Sequence, residues 1–390
     1  MQSLDLPEPT KIEKQHSRKL HEVIVQEIEK AGGWINFAQY MQLALYAPGL
    51  GYYSAGLQKF GEQGDFITSP EVSPLFAQTL ANPVAKLLSD ITDAQLMEFG
   101  AGSGKLAADL LHALNKLGQL PETYFIVELS ADLQQRQRET LQQRVPDLLP
   151  RVRWLNQLPE TPLNVIIIAN EVIDAMPVTR FAINHGDILQ QGVAVQDGEL
   201  GLSYRPASAV IQQQVQALDI EVSPAHEYCS ELNLNIAPWI KSLADCINQG
   251  AIYLIDYGYT RSEFYSAERD MGTFIGYYHH RSLDAPLWYP GLQDLTAFVD
   301  FTAVAEAALE NGMDVDGFTS QGNFLINCGL AELVESIQTE SELDYYKLVQ
   351  QMKTLSLPGE MGERFKVLGL SKGLQDNAPG FEVRDLRYSL

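Results

Sequence analysis

Apolar side chains recur along this chain with two different periods. After a polar lead containing Pro7 and Pro9, Leu20, Val23, Ile24 and Ile28 fall on one helical face. Gly32 and Gly33 end that helix, as a left-handed cap would. Asn36 caps a second helix over residues 37–46, and Pro48, Gly49 and Gly51 open a Gly-rich loop that runs to Gly64. Ser69-Pro70-Glu71 or Ser73-Pro74 starts the next helix, because Ser suits the cap and Pro the first helical position. From about Gln95 the pattern turns into short strands alternating with helices. Strands are predicted over 95–100, 123–128, 151–154, 165–169 and 252–256, and helices over 105–117 and 132–143. The run 165–169 is apolar throughout, as a strand covered on both faces is. Such alternation argues for a parallel sheet in an α/β domain.

Residues 177–250 are too many for one crossover and read as an insertion, with Asp197-Gly198 marking a hairpin inside it. A Pro358-Gly359 turn and a strand over 364–369 suggest an antiparallel edge that closes the sheet. The expected organisation is a helical cover (1–90), a Rossmann-like core (91–176), an inserted lobe (177–250) and the rest of the sheet with substrate-side loops (251–390).

Composition narrows the function classes. The 390 residues are 45% apolar, enough for a sizeable core. Lys plus Arg number 27 against 50 Asp plus Glu, for a net charge of −23. That field repels phosphate backbones, so no nucleic-acid partner is expected, and it favours cationic ligands and basic protein surfaces. The three cysteines, Cys229, Cys246 and Cys328, are too few and too scattered for a disulfide frame or a zinc site, so no metal is expected. No apolar run approaches ~20 residues, and the first 30 residues read as neither a secretory signal nor a transit peptide. The expected compartment is a reducing cytoplasm.

The chemistry begins at Glu98-Phe-Gly-Ala-Gly-Ser-Gly104, between the first strand and a helix. A P-loop needs Gly, four residues and then Gly-Lys-Ser/Thr; here Leu106 follows Lys105 and Phe99 stands where the first Gly should. The dinucleotide fingerprint G-x-G-x-x-G is missed because the third glycine comes one residue early. The spacing Gly100, Gly102, Gly104 with Glu98 two residues ahead is that of S-adenosylmethionine (SAM) sites, whose ligand has no phosphate to cradle. The plain alternative is a tight turn with no ligand. Glu128 ends the second strand, where a carboxylate can accept from both ribose hydroxyls, with Leu129 beside it. At the end of the fourth strand, Asn170, Glu171 and Asp174 lie where a methyl group bound at the first strand would be met. The alternative is that Asn170 or Asp174 caps a helix. His279-His280 could supply a base, but a surface role in a Tyr-rich loop is favoured.

These features together resemble the MidA-type SAM-dependent methyltransferases, a family that includes a mitochondrial complex I assembly factor with protein-arginine methyltransferase activity. The resemblance covers nearly the whole chain. It rests on Tyr40–Tyr46 with Gly51-Tyr-Tyr53, Gly64-Asp-Phe-Ile-Thr-Ser-Pro-Glu71, Glu98–Gly104, Val127–Ser130 and Ala169–Pro177. Further matches are Ile255–Gly258, Asp294–Phe301 and Met361–Leu368. It implies a seven-stranded, mostly parallel sheet with an antiparallel edge, an N-terminal helical cover and an inserted lobe. It implies SAM as cofactor and an arginine-bearing protein as substrate, with a respiratory-complex subunit among the candidates. The segment 64–71 is expected to close over the cofactor, with Gly64, Asp65, Thr68 and Pro70 in contact with it. Two readings compete: a small-molecule N- or O-methyltransferase, and a SAM-binding assembly factor with little catalysis.

Overall fold

The computed structural model describes residues 6–55, 68–221 and 227–390. Two compact units are present, each assembled from separate stretches of chain.

The larger unit comprises Ile67–Ile173, Ile236–Thr260 and Val299–Leu390. Its sheet contains β1 (Gln95–Phe99), β2 (Tyr124–Val127), β3 (Val152–Leu155), β4 (Leu163–Asn170), β5 (Ile247–Tyr259), β6 (Asp314–Ser320) and β7 (Phe365–Lys372). The order is β6-β7-β5-β4-β1-β2-β3, and the short strand Val299–Asp300 adds in parallel to the end of β5. Strands β1 to β5 run parallel; β7 is antiparallel to both β5 and β6. The antiparallel strand thus lies one place in from the edge, and β6 takes the edge itself. β6 gives little signal in sequence because Asp-Val-Asp-Gly-Phe-Thr-Ser is too polar to read as a strand.

The middle of this sheet is dry. Val165, Ile166, Ile167 and Ile168 of β4 are fully buried, and each such side chain contributes about 1.5–3 kcal/mol. Ile166 and Ile168 share a core with Leu80 and Val84 of helix Pro74–Asp90 and with Leu110 and Leu114 of helix Lys105–Lys116. Both expected helix starts occur: a short helix spans Ser69–Val72, and Ser73 caps Pro74–Asp90 by accepting from the Leu75 N–H at 3.2 Å.

The smaller unit comprises Met1–Phe66, Asp174–Asn235 and Arg261–Phe298. Helices Lys11–Lys30 and Phe37–Tyr46 each begin with a capping box, Thr10 with Glu13 and Asn36 with Gln39. Their inner faces, Leu20, Ile24 and Ile28 with Tyr40 and Met41, are buried in one core. A five-stranded antiparallel sheet runs Ile35–Asn36, Asp187–Gln196, Thr179–Asn184, Tyr228–Leu232, with Glu199–Pro206 paired to Asp187–Gln196. Asp197 and Gly198 both have positive φ, as the two-residue turn of that hairpin requires. Among the described residues, no helix is long and apolar enough to cross a membrane, and no group of three His, Cys, Asp or Glu is placed to hold a metal ion.

Candidate active site at the carboxyl end of the parallel sheet

In the β order, connections from β1 run to β2 on one side, while the chain returns through β4 on the other. The crevice outside the carboxyl ends of β1 and β4 is therefore the topological switch point, where open α/β sheets bind ligands. The two strands are in register there: Phe99 pairs with Ala169, so Gly100 and Asn170 leave the sheet side by side.

The loop after β1 needs its glycines. Gly100, Gly102 and Gly104 have φ of 61°, 53° and 81°, a region that side-chain-bearing residues seldom adopt. Gly104 is also the cap of helix Lys105–Lys116, and a Cβ there would sit 3.0 Å from the Cα of Gln137. The loop is held from two directions. Ser103 donates to the carboxylate of Glu71, and Lys105 Nζ donates to the Pro70 carbonyl at 2.7 Å, so the start of helix Ser69–Val72 is tied to it. Thr68 precedes that helix. Gly64 and Asp65 lie outside the described residues.

Glu98 and Glu128 differ in setting. Glu98 is buried in the sheet, and Tyr124 of β2 donates its hydroxyl to Oε2 at 2.6 Å. Burial pushes the Glu98 carboxyl up to about 7, although the hydrogen bond from Tyr124 pulls the other way. Glu128 follows β2. Its Oε1 accepts the Ser130 N–H at 2.8 Å and its Oε2 accepts from Gln137 Nε2 at 3.2 Å. Burial raises its carboxyl too, against those hydrogen bonds. Leu129, next in the chain, is 78% exposed, an apolar surface beside a buried acid. Gln137, fully buried in an otherwise polar helix (Ala131–Arg144), was not signalled by the sequence pattern. A lone Gln at an inward position carries no periodic signature of its own.

Beyond β4 the chain makes a strained turn. Glu171 has φ +54°, a conformation that costs a non-glycine residue of order 1–3 kcal/mol. The surroundings hold it: its N–H donates to the Ile255 carbonyl at 2.8 Å, and Asp256 Oδ2 accepts from Val172 N–H at 3.2 Å and Ile173 N–H at 3.0 Å. Asp256 ends a strand, a position from which the sequence allows equally tying down a loop or touching substrate, and here it ties down this loop. Asn170 Nδ2 donates to Glu171 Oε1 at 3.1 Å, while Asn170 Oδ1 is buried with no hydrogen-bond partner among the described residues. Asp174 belongs to the smaller unit and caps no helix. Its Oδ2 accepts from the Thr296 hydroxyl at 2.9 Å and its carbonyl from the Ala297 N–H at 3.1 Å. His279 and His280 form the turn between strands Ile275–Tyr278 and Arg281–Leu283. Both are exposed, and His279 stands edge-on to Tyr278.

The larger unit thus gathers Gly100–Gly104, Glu128, Leu129, Asn170 and Glu171 at one end of its sheet. The donor set suits a nucleoside ligand with an amino-acid end. It offers open backbone where a Cβ would crowd, a buried acceptor at a strand end and an exposed apolar side chain next to it.

Comparison with known proteins agrees with this geometry. The sequence model of a family of S-adenosyl-L-methionine-dependent methyltransferases matches residues 75–319. The chain is 30% identical to the protein arginine methyltransferase NDUFAF7, mitochondrial, of Danio rerio, with 86% of this chain and 83% of that protein aligned. It is equally similar to the Homo sapiens protein of that name, over 87% and 81%. A crystal structure of a Burkholderia thailandensis protein bound to S-adenosyl-homocysteine superposes with a TM-score of 0.94 at 40% identity, covering 99% of this chain and 100% of that one. The expectation of a cytoplasmic compartment is corrected by the Danio rerio and Homo sapiens relatives, which are named mitochondrial. Composition and the character of the first 30 residues could not have placed the chain. SAM is the cofactor, and the chain belongs to the S-adenosyl-L-methionine-dependent methyltransferase family whose model spans most of its length.

Proposed function

We propose that this methyltransferase modifies an arginine side chain of a protein partner, and that Glu171 receives the guanidinium. The observation that carries this reading is a carboxylate on a strained turn, pinned by Asp256, one strand away from the glycine loop. Strain of this kind persists where the surroundings over-determine it, and such places cluster at functional sites.

When bound, SAM supplies a methyl group on a sulfonium. The chain's residues supply position and charge. Gly100, Gly102 and Gly104 would offer backbone to the amino-acid end, Glu128 would accept from the ribose hydroxyls, and the exposed Leu129 would offer an apolar surface to the base. Glu98, sealed with Tyr124, fixes the first strand under the loop. Thr68 and Pro70, at the start of helix Ser69–Val72, would contact the ligand beside the glycine loop, to which Lys105 ties Pro70. A guanidinium is planar and always charged, with five donors in a fixed fork. Glu171 accepts two of them, holds one nitrogen toward the methyl group, and takes the proton that this nitrogen loses. Asn170 keeps that carboxylate oriented through its 3.1 Å hydrogen bond and has Oδ1 left to accept. Asp174 opens the smaller unit's stretch of chain three residues further on and is held within that unit by Thr296 and Ala297.

The names of the curated relatives support a protein acceptor, and a net charge of −23 favours a basic segment over a nucleic acid. The test uses methyl-labelled SAM, the purified chain and a lysate from cells that lack it, followed by acid hydrolysis of the protein fraction. Label in methylarginine is the expected result. Label confined to small molecules would overturn the arginine reading in favour of a small-molecule acceptor.

A further inference from the structure

We infer that Gln137 is a positioning residue for the cofactor. It sets the glycine loop and the Glu128 carboxylate at a fixed separation, and so decides how strongly the ribose hydroxyls are recognised. The inference rests on the reading of Glu128 as the ribose acceptor.

Three contacts of one buried amide carry it. Trp154 of β3 donates its indole N–H to Gln137 Oε1 at 2.9 Å. An indole nitrogen only donates, so this contact settles which end of the amide is the oxygen. The NH2 group is then obliged to point the other way, and its two protons have two acceptors. One is the Gly102 carbonyl at 3.2 Å and the other is Glu128 Oε2 at 3.2 Å. The middle of the glycine loop and the acid of the next strand are thus bridged by a single rigid group. Around it, Thr140 donates to the Ser103 carbonyl at 2.7 Å, and the Gln137 Cα is the nearest neighbour of the missing Gly104 side chain. The Ser130 N–H takes the other Glu128 oxygen and the Leu129 N–H also donates to this carboxylate, so the direction in which it can meet hydroxyl donors holds only while it keeps this orientation. Losing Gln137 frees the carboxylate to rotate and leaves a raised carboxyl with one fewer donor.

The arrangement predicts that neither a charge nor an apolar group of the same size preserves the bridge. A carboxylate in place of the amide would still accept from Trp154, but its second oxygen would face the Gly102 carbonyl and Glu128. Protonated, it would donate to one of them and restore part of the bridge.

The test measures affinities for S-adenosyl-homocysteine and its 2′-deoxyribose analogue by calorimetry, in wild type, Gln137→Met, Gln137→Glu and Glu128→Gln. In wild type the loss of the hydroxyl is expected to weaken binding tenfold or more. In Gln137→Met, folded as judged by circular dichroism, that ratio should fall at least threefold, and affinity for the intact ligand should drop with it. Gln137→Glu should approach wild-type affinity near pH 5 and lose it progressively as pH rises, more steeply than wild type. An unchanged ratio in Gln137→Met with a collapsed ratio in Glu128→Gln would overturn the role of Gln137 alone. Unchanged ratios in both variants would overturn it together with the ribose reading of Glu128. A pH-independent Gln137→Glu with wild-type affinity would also overturn it, because a bystander position would not register the added charge.

Discussion

The carboxylate of Asp256 accepts the main-chain N–H of Ile173 at 3.0 Å, across 83 residues of sequence. With the Val172 N–H on the same oxygen and the Tyr257 N–H on the other, one side chain of β5 fastens the turn that carries Glu171. Asp256→Asn keeps one acceptor and turns an NH2 toward N–H groups. Hydrogen bonds to charged acceptors are worth about 1.5–3 kcal/mol, so chemical denaturation should show a loss of that order. Turnover should fall at least tenfold in the folded variant, while affinity for S-adenosyl-homocysteine, bound one strand away, changes little. Equal losses of both would mean the turn supports the cofactor instead of the acceptor.

Gly104→Ala tests the glycine loop. Its φ of 81° is strained for alanine, and the new methyl would press on the Gln137 Cα at 3.0 Å. Residues in such conformations cost of order 1–3 kcal/mol. Thermal unfolding should show that loss, and SAM affinity should fall at least tenfold, about 1.4 kcal/mol. A folded variant with wild-type affinity would separate this glycine from the cofactor.

The buried Glu98 predicts a pH dependence of stability. Its carboxyl lies at about 7 in the folded protein against an ordinary 4.5, because burial disfavours the charged form. Between those values the folded state binds more protons than the unfolded one, so this group makes stability fall as pH rises from about 4.5 to about 7. The effect amounts to about 3 kcal/mol at about 1.4 kcal/mol per pH unit. Glu98→Gln still accepts from Tyr124 and carries no proton to lose, so its stability curve should be flatter across that window. Parallel curves for the two proteins would place the titration elsewhere.

Asp174 separates a positioning part from a direct one. Asp174→Asn retains an acceptor for Thr296 and should keep most of the activity. Asp174→Ala strands that hydroxyl and should cost about 1–3 kcal/mol of stability. A hundredfold loss of turnover in a stable Asp174→Asn protein would instead make the carboxylate a partner of the guanidinium.

Sequence alone disclosed the parallel strands of the larger unit well, because they are apolar runs and the turn after the first is made of glycines with no substitute. β4 was legible from four consecutive buried residues, and the loop after β1 from three glycines that need positive φ. β6 was not, since a polar edge strand has neither period nor hydrophobic mass. In the site, Glu128 and Glu171 were legible as acids at strand ends. Gln137 was not, and Asp256 was legible only as one of two equal readings: they act through partners 35 and 83 residues away, a relation that only the sheet order creates. Asp174 lies three residues after Glu171 in sequence, and its Oδ2 accepts from Thr296, 122 residues on, a contact that no local spacing announces.

The central claim is that Glu171 receives an arginine. The most direct measurement is transfer of labelled methyl to an arginine-rich peptide by wild type and Glu171→Gln, alongside calorimetric affinity for S-adenosyl-homocysteine. The account predicts methylarginine from wild type, none when lysine replaces arginine in the peptide, and turnover at least 100-fold lower in Glu171→Gln with cofactor affinity within about threefold. Undiminished methylarginine formation by a folded Glu171→Gln protein would contradict it.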